Sequence, residues 1–197
     1  AAADTLCARF PDDHASWTTS YQVHALAGEN AEAAVALTVA GYLRPLGRAE
    51  ALTLGDLYFF LNVPTLSGRY YEAALGDSAG VDDYERLSSA WLAARDERRA
   101  AEVLDRGLAR FPSPRLWSLL GDLRVMQDDQ ERAYAAYRES AALDPGSGRV
   151  QLMLGWSALE TGRAAEAIAA LERAAADSVH SRTVAPLLER ARRSIKF

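Results

Sequence analysis

Residues Pro114–Pro145, PRLWSLLGDLRVMQDDQERAYAAYRESAALDP, hold the pattern from which the fold can be read. Trp117, Leu120, Gly121 and Arg124 stand at i, i+3, i+4 and i+7, the spacing of one helix face. The small Gly121 leaves room for a neighbouring helix. Asp128-Asp129 breaks the pattern and can cap a second helix. Ala133, Tyr137, Ser140 and Ala141 form the next stripe, and Asp144-Pro145 ends it. Proline supplies no backbone N–H and restricts the residue before it. Two helices of about a dozen residues cannot bury such stripes alone, so neighbours must cover them.

The rest of the chain supplies those neighbours. The small residue that opens the second stripe falls at Ala33, Ser67, Ala100, Ala133 and Ala167, in steps of 34, 33, 33 and 34 residues. The terminating position falls at Pro11, Pro45, Ala79, Pro112, Pro145 and Val179, in steps of 34, 34, 33, 33 and 34. A period this constant marks a repeat array. The spacing predicts an all-α chain of antiparallel helix pairs, with units over 14–47, 48–80, 81–113, 114–147 and 148–181. Residues 1–13 read as the second helix of an incomplete repeat with Leu6 and Phe10 on one face, so a further repeat or a processed segment is expected upstream. Residues 182–197 read as a capping helix, with Thr183 as its N-cap and Pro186 in its first turn. Leu187 and Leu188 would cover the fifth unit, while Arg190, Arg192, Arg193 and Lys196 face water. Between paired helices, Gly28 reads as a left-handed end, Gly162 as a break and Asn62 as a stop, with Pro64 starting the next helix.

Composition narrows the function classes. The net charge of -5 gives no basic field for nucleic acid. No apolar run approaches the roughly 18 residues needed to span a bilayer. Cys7 is the only cysteine, which excludes an internal disulfide and a cysteine metal cluster. His14, His24 and His180 lie far apart, in no metal-ligand spacing. His24 falls on the core side of its helix, and Cys7 reads as a small buried residue. Asp82-Asp83 and Asp128-Asp129 read as helix caps, and Asp144–Gly148 as a turn rather than a phosphate loop. No grouping has the make-up of an active site, so a non-enzymatic protein without a cofactor is expected.

The pattern W-x2-L-G, A-x3-Y, P at this period resembles the tetratricopeptide repeat, carried most fully by Trp117, Leu120, Gly121, Ala133, Tyr137 and Pro145. Departures are Arg124 for an aromatic residue, Ser140 for alanine, Tyr21 for a small residue, and Ala79 and Val179 for proline. The resemblance implies a right-handed α-solenoid whose first helices line a concave, partner-binding face. Carried onto this sequence, its groove positions are Thr18, Gln22, Leu26, Leu52, Asp56, Phe59, Phe60, Glu85, Ser89 and Leu92. They continue with Ser118, Asp122, Val125, Met126, Leu152, Met153, Trp156 and Leu159. The residues expected to bind a partner are Gln22, Leu26, Asp56, Phe59, Phe60, Ser89, Leu92, Asp122, Val125, Met126, Met153 and Trp156. The family's chaperone-binding branch holds a terminal carboxylate with Lys and Asn. Thr18, Gln22, Leu52, Asp56, Ser118 and Asp122 stand there instead, so an apolar helical or extended segment suits the face better.

A narrower resemblance lies in Leu54–Leu75 and Tyr84–Leu104. The LxxLY phrase at Leu54, Leu57 and Tyr58, then Val63-Pro64, then LxxAWLxA from Leu87 to Ala94, is similar to bacterial repeat proteins described as components of the TonB energy-transduction system. It implies a periplasmic or envelope-associated scaffold beside a TonB/ExbB/ExbD-type motor. The alternatives are a permanently bound structural subunit of a larger complex, a cytoplasmic location, and an enzymatic part outside these residues.

Overall fold

The computed structural model describes residues 2–177, 179 and 181–195; His180 and Lys196 lie outside them. All regular structure among the described residues is helical. Two compact units, Ala1–Asp96 and Glu97–Phe197, make up the chain.

In the first unit α1 (Ala2–Arg9), α2 (His14–Ala27), α3 (Asn30–Leu43), α4 (Arg48–Phe60), α5 (Pro64–Ala74) and α6 (Val81–Ala93) each pack on the next. The second unit repeats the plan with α7 (Glu97–Leu108), α8 (Pro114–Met126), α9 (Gln130–Leu143), α10 (Gly148–Glu160), α11 (Ala164–Ala175) and α12 (Ser181–Ser194). The tightest packing is within the pairs α2/α3, α4/α5, α8/α9 and α10/α11.

One turn ends the first helix of each repeat. Gly28, Asn62, Arg95, Asp128 and Gly162 have φ of 75°, 58°, 59°, 58° and 78°. At each, the next residue's N–H donates back across the turn: Glu29 to His24, Val63 to Tyr58, Asp96 to Trp91, Asp129 to Arg124 and Arg163 to Ala158, at 2.7–3.0 Å. The left-handed residue also donates to the carbonyl three residues earlier. These are Schellman caps, which satisfy the last carbonyls of the first helix. Glycine and asparagine adopt this conformation at little cost, and the sequence announces them. Arg95 does not announce itself, because a Cβ-bearing cation strains the left-handed region by about 1–2 kcal/mol.

Starts are equally local. Asp13, Ser113, Asp129 and Ser147 accept from the first backbone N–H groups of their helices, and Pro64 and Pro114 open theirs. Asp83 accepts the Gly80 N–H at 2.8 Å and also pairs with Arg48 at 2.6 Å, so it caps as expected and ties α6 to α4 as well.

Glycines set how closely the pairs approach. A methyl group at Gly55 would lie 2.3 Å from Cε1 of Tyr71, and at Gly121 2.5 Å from Cε1 of Tyr137. At Gly155 it would lie 2.6 Å from Cγ of Leu171. Leu37, Leu54, Tyr71, Leu87 and Trp91 fill the first unit's core, while Tyr137, Leu171, Ala174 and Val184 fill the second's.

Several expectations shift. On α8 the buried residues are Leu116, Ser118, Gly121 and Leu123, while Trp117, Leu120 and Arg124 are only half-buried. On α1 Cys7 is the buried residue, and Phe10 lies past the helix end and is exposed. The last helix begins at Ser181, so Thr183 is inside it and Pro186 lies beyond its first turn. Leu187 and Leu188 do pack on the α10–α11 core, where α12 lays Val184 and Ala191. Arg190, Arg192 and Arg193 are exposed, and each pairs with a glutamate.

Gly55→Ala should destabilise the protein by about 1–3 kcal/mol, since the Tyr71 ring must move off its seat. Gly76→Ala, where a methyl group meets nothing, is the neutral control. Arg95→Gly should act oppositely and stabilise by roughly 0.5–1 kcal/mol through relief of left-handed strain. Urea unfolding followed by circular dichroism measures all three.

Candidate partner-binding surface

The expected partner-binding residues stand on α2, α4 and α6 in the first unit and on α8 and α10 in the second. In the first unit the apolar positions are open. Leu26 is 90% exposed and Phe60 is 73% exposed; Gln22, Phe59 and Asp56 are also exposed. Leu26 and Phe60 each stand two residues before the left-handed turn, in the last turn of the first helix. Ser89 and Leu92 are half-buried, and the Ser89 hydroxyl donates to the Glu85 carbonyl at 2.7 Å.

In the second unit the same positions are more covered. Val125, Met126, Met153 and Trp156 are half-buried. Met126 occupies the place of Leu26 and Phe60. One repeat later that place is taken by Glu160, which pairs with Arg190 of α12 at 2.8 Å. Two expected groove residues are lost to the interior. Ser118 is buried beneath Arg149, and Leu159 is buried in the cluster that α12 closes, with Leu152 packed against it.

The carboxylates expected in the groove have structural partners. Asp56 accepts the Tyr71 hydroxyl at 2.6 Å and lies 3.9 Å from Arg86 of the following first helix. Asp122 accepts the Tyr137 hydroxyl at 2.7 Å and two contacts from Arg149, at 2.7 and 2.9 Å. Arg149 also donates to Ser118 at 2.7 Å. The two sets are one device, in which a glycine admits a tyrosine ring, the next aspartate takes its hydroxyl, and an arginine of the next first helix closes on the aspartate. The Asp122 side chain is 24% exposed and Arg149 53%, so solvent screens this pair to about 1 kcal/mol. The signal that could have revealed the device is the recurrence of Gly-Asp and Tyr 66 residues apart, at 55–56 and 121–122 and at Tyr71 and Tyr137. It marks stacking, not a ligand site.

Burial, and then the adjacent aspartate, push the Tyr71 and Tyr137 phenols well above the usual tyrosine range. Burial also raises Tyr134, whose hydroxyl donates to Glu166 while Arg163 lies over its ring at 4.5 Å. These groups stay neutral and offer no base. His14 opens α2 and is half-buried, and His24 is buried between Asp4 and Glu29. Among the described residues no helix is long and apolar enough to cross a membrane.

Residues 125–191 match the family model described as tetratricopeptide repeat. No curated protein matches the chain. Among solved structures, MamA is 18% identical with a TM-score of 0.71, covering 86% of this chain and 94% of its own. YrrB, described as a TPR protein with an unusual peptide-binding site, is 14% identical with a TM-score of 0.65, covering 100% and 99%. PilW, described as a widely conserved type IV pilus biogenesis factor, is 16% identical with a TM-score of 0.65, covering 95% and 86%. At such identities the likeness is one of fold.

Above about pH 10 an unfolded tyrosine loses its proton, while Tyr71 and Tyr137 hold theirs in the fold. The folded state then binds more protons, so stability should fall as pH rises past that point. Replacing both with Phe should flatten part of this fall and cost about 1.5–3 kcal/mol each at neutral pH. Urea midpoints between pH 7 and 11 check both expectations. Residues 125–191 match the tetratricopeptide repeat by sequence, and the chain has the fold of tetratricopeptide-repeat solenoids.

Proposed function

We propose that the protein is a non-enzymatic scaffold that binds a segment of a partner protein on its first-helix face. The exposure of Leu26 and Phe60 at equivalent places of successive repeats carries this reading. Large apolar side chains at spaced, solvent-facing positions suit an amphipathic helix or extended segment that brings its own apolar anchors. The tetratricopeptide match, and the peptide-binding site described for YrrB, support a protein ligand. Asp56 and Asp122 contribute by setting the pitch of the helices rather than by gripping the ligand.

The finer reading places the scaffold in the periplasm or envelope, beside a TonB/ExbB/ExbD-type assembly. Its support is the phrase running from Leu54 through Val63-Pro64 to Ala94. A second reading, a permanently bound subunit of a larger complex, draws on exposed apolar residues of the second helices, with Tyr42 84% exposed and Val35, Leu43 and Leu143 beside it in kind.

Leu26→Glu with Phe60→Glu should abolish co-purification of TonB-system proteins from envelope extract, scored by immunoblot, with the helical circular dichroism unchanged. Tyr42→Glu should leave it intact. Binding that survives the first pair rules out this face. Binding lost with Tyr42→Glu favours the buried-subunit reading, and no recovery of those proteins with the native chain removes the envelope assignment.

A further inference from the structure

We infer that His24 is a proton-operated latch that holds α1 against the α2–α3 pair. His24 is 7% exposed, and both of its ring nitrogens face carboxylates from different elements. Nε2 lies 3.1 Å from Asp4 Oδ1 on α1, and Nδ1 lies 2.5 Å from Glu29 Oε2 in the turn before α3. A neutral imidazole has one donor and one acceptor, whereas an ionised carboxylate only accepts. Both contacts are therefore hydrogen bonds only when the ring carries two protons.

The surroundings favour that state. Asp4 comes from α1, Glu29 from the turn, and Glu32 from α3 at the rim of the same cavity of about 250 Å³, whose lining from α2 is the uncharged Trp17 and Ser20 beside His24. The Glu29 hydrogen bond is the largest influence and raises the His24 pKa; burial opposes it, and the Asp4 contact adds to it. The sign follows. The folded pKa lies above the unfolded value of about 6.5, so the latch is fully formed below that pH and is lost as pH rises through the folded pKa. Deprotonation leaves one carboxylate facing a lone pair, and the weaker attachment yields. That attachment is α1, where Leu6 is half-buried and the Cys7 thiol donates to the Ser16 carbonyl at 3.5 Å.

Cys7 is the only cysteine, buried under α1 against α2, and so reports undocking directly. Its labelling rate, divided by that of a short unstructured cysteine peptide at the same pH, measures the latch. Between pH 6 and pH 9 the protection of Cys7 should fall as His24 loses its second proton. The His24 ring, followed by NMR in the full chain, should titrate above 6.5 with the same midpoint. Asp4→Ala should leave Cys7 reactive at both pH values, and Glu29→Gln should move the midpoint toward lower pH. A His24 that titrates at or below about 6.5 overturns the proposal. So does a Cys7 whose protection is flat while His24 titrates.

Discussion

A tyrosine ring seated on a bare Cα is the contact on which both units depend. Gly55 under Tyr71 and Gly121 under Tyr137 let the second helix of a pair come closer than any side chain would allow. The hydroxyl then meets the aspartate that follows the glycine, and an arginine from the next first helix meets that aspartate. One small residue thus fixes packing within a pair and positions the polar link to the next. At Gly155 the ring is replaced by Leu171, and there α12 closes the stack through Val184 and Ala191 and through the Arg190–Glu160 pair.

This economy bears on function. In a face built from first helices, carboxylates draw attention as ligand contacts. Here Asp56 and Asp122 complete the stacking device, and what the face presents outward is apolar, at Leu26 and Phe60. The acidic group with a dynamic role lies elsewhere, around His24, where a buried imidazole joins three elements and its proton count sets how firmly α1 is held.

Much of the fold was legible because its causes are local. Glycine, asparagine and proline mark the turns by their own dihedral limits, so Gly28, Asn62, Pro64 and Gly162 could be placed without a structure. Arg95 takes the same left-handed turn against its preference, and nothing in its chemistry signals that; only the repeat register does. The start of α12 at Ser181 was missed for the reverse reason, since Thr183 and Pro186 look like start signals and tertiary packing on α10–α11 carries the helix back past them.

The sequence by itself determined the period, the helix pairs and the glycines that admit close approach, because each rests on spacing within about one repeat. Only the tertiary structure decided which groove residues remain available. Ser118 is covered by Arg149, Leu159 by the cluster beneath α12, and Asp122 by a tyrosine and an arginine. Exposure is a property of what other segments bring against a side chain, and those segments arrive from 15 to 31 residues away along the chain. His24 shows the same limit. Its helix face could be read from spacing, but the two carboxylates that govern its proton come from α1 and from the turn before α3, and only folding sets them on either side of the ring.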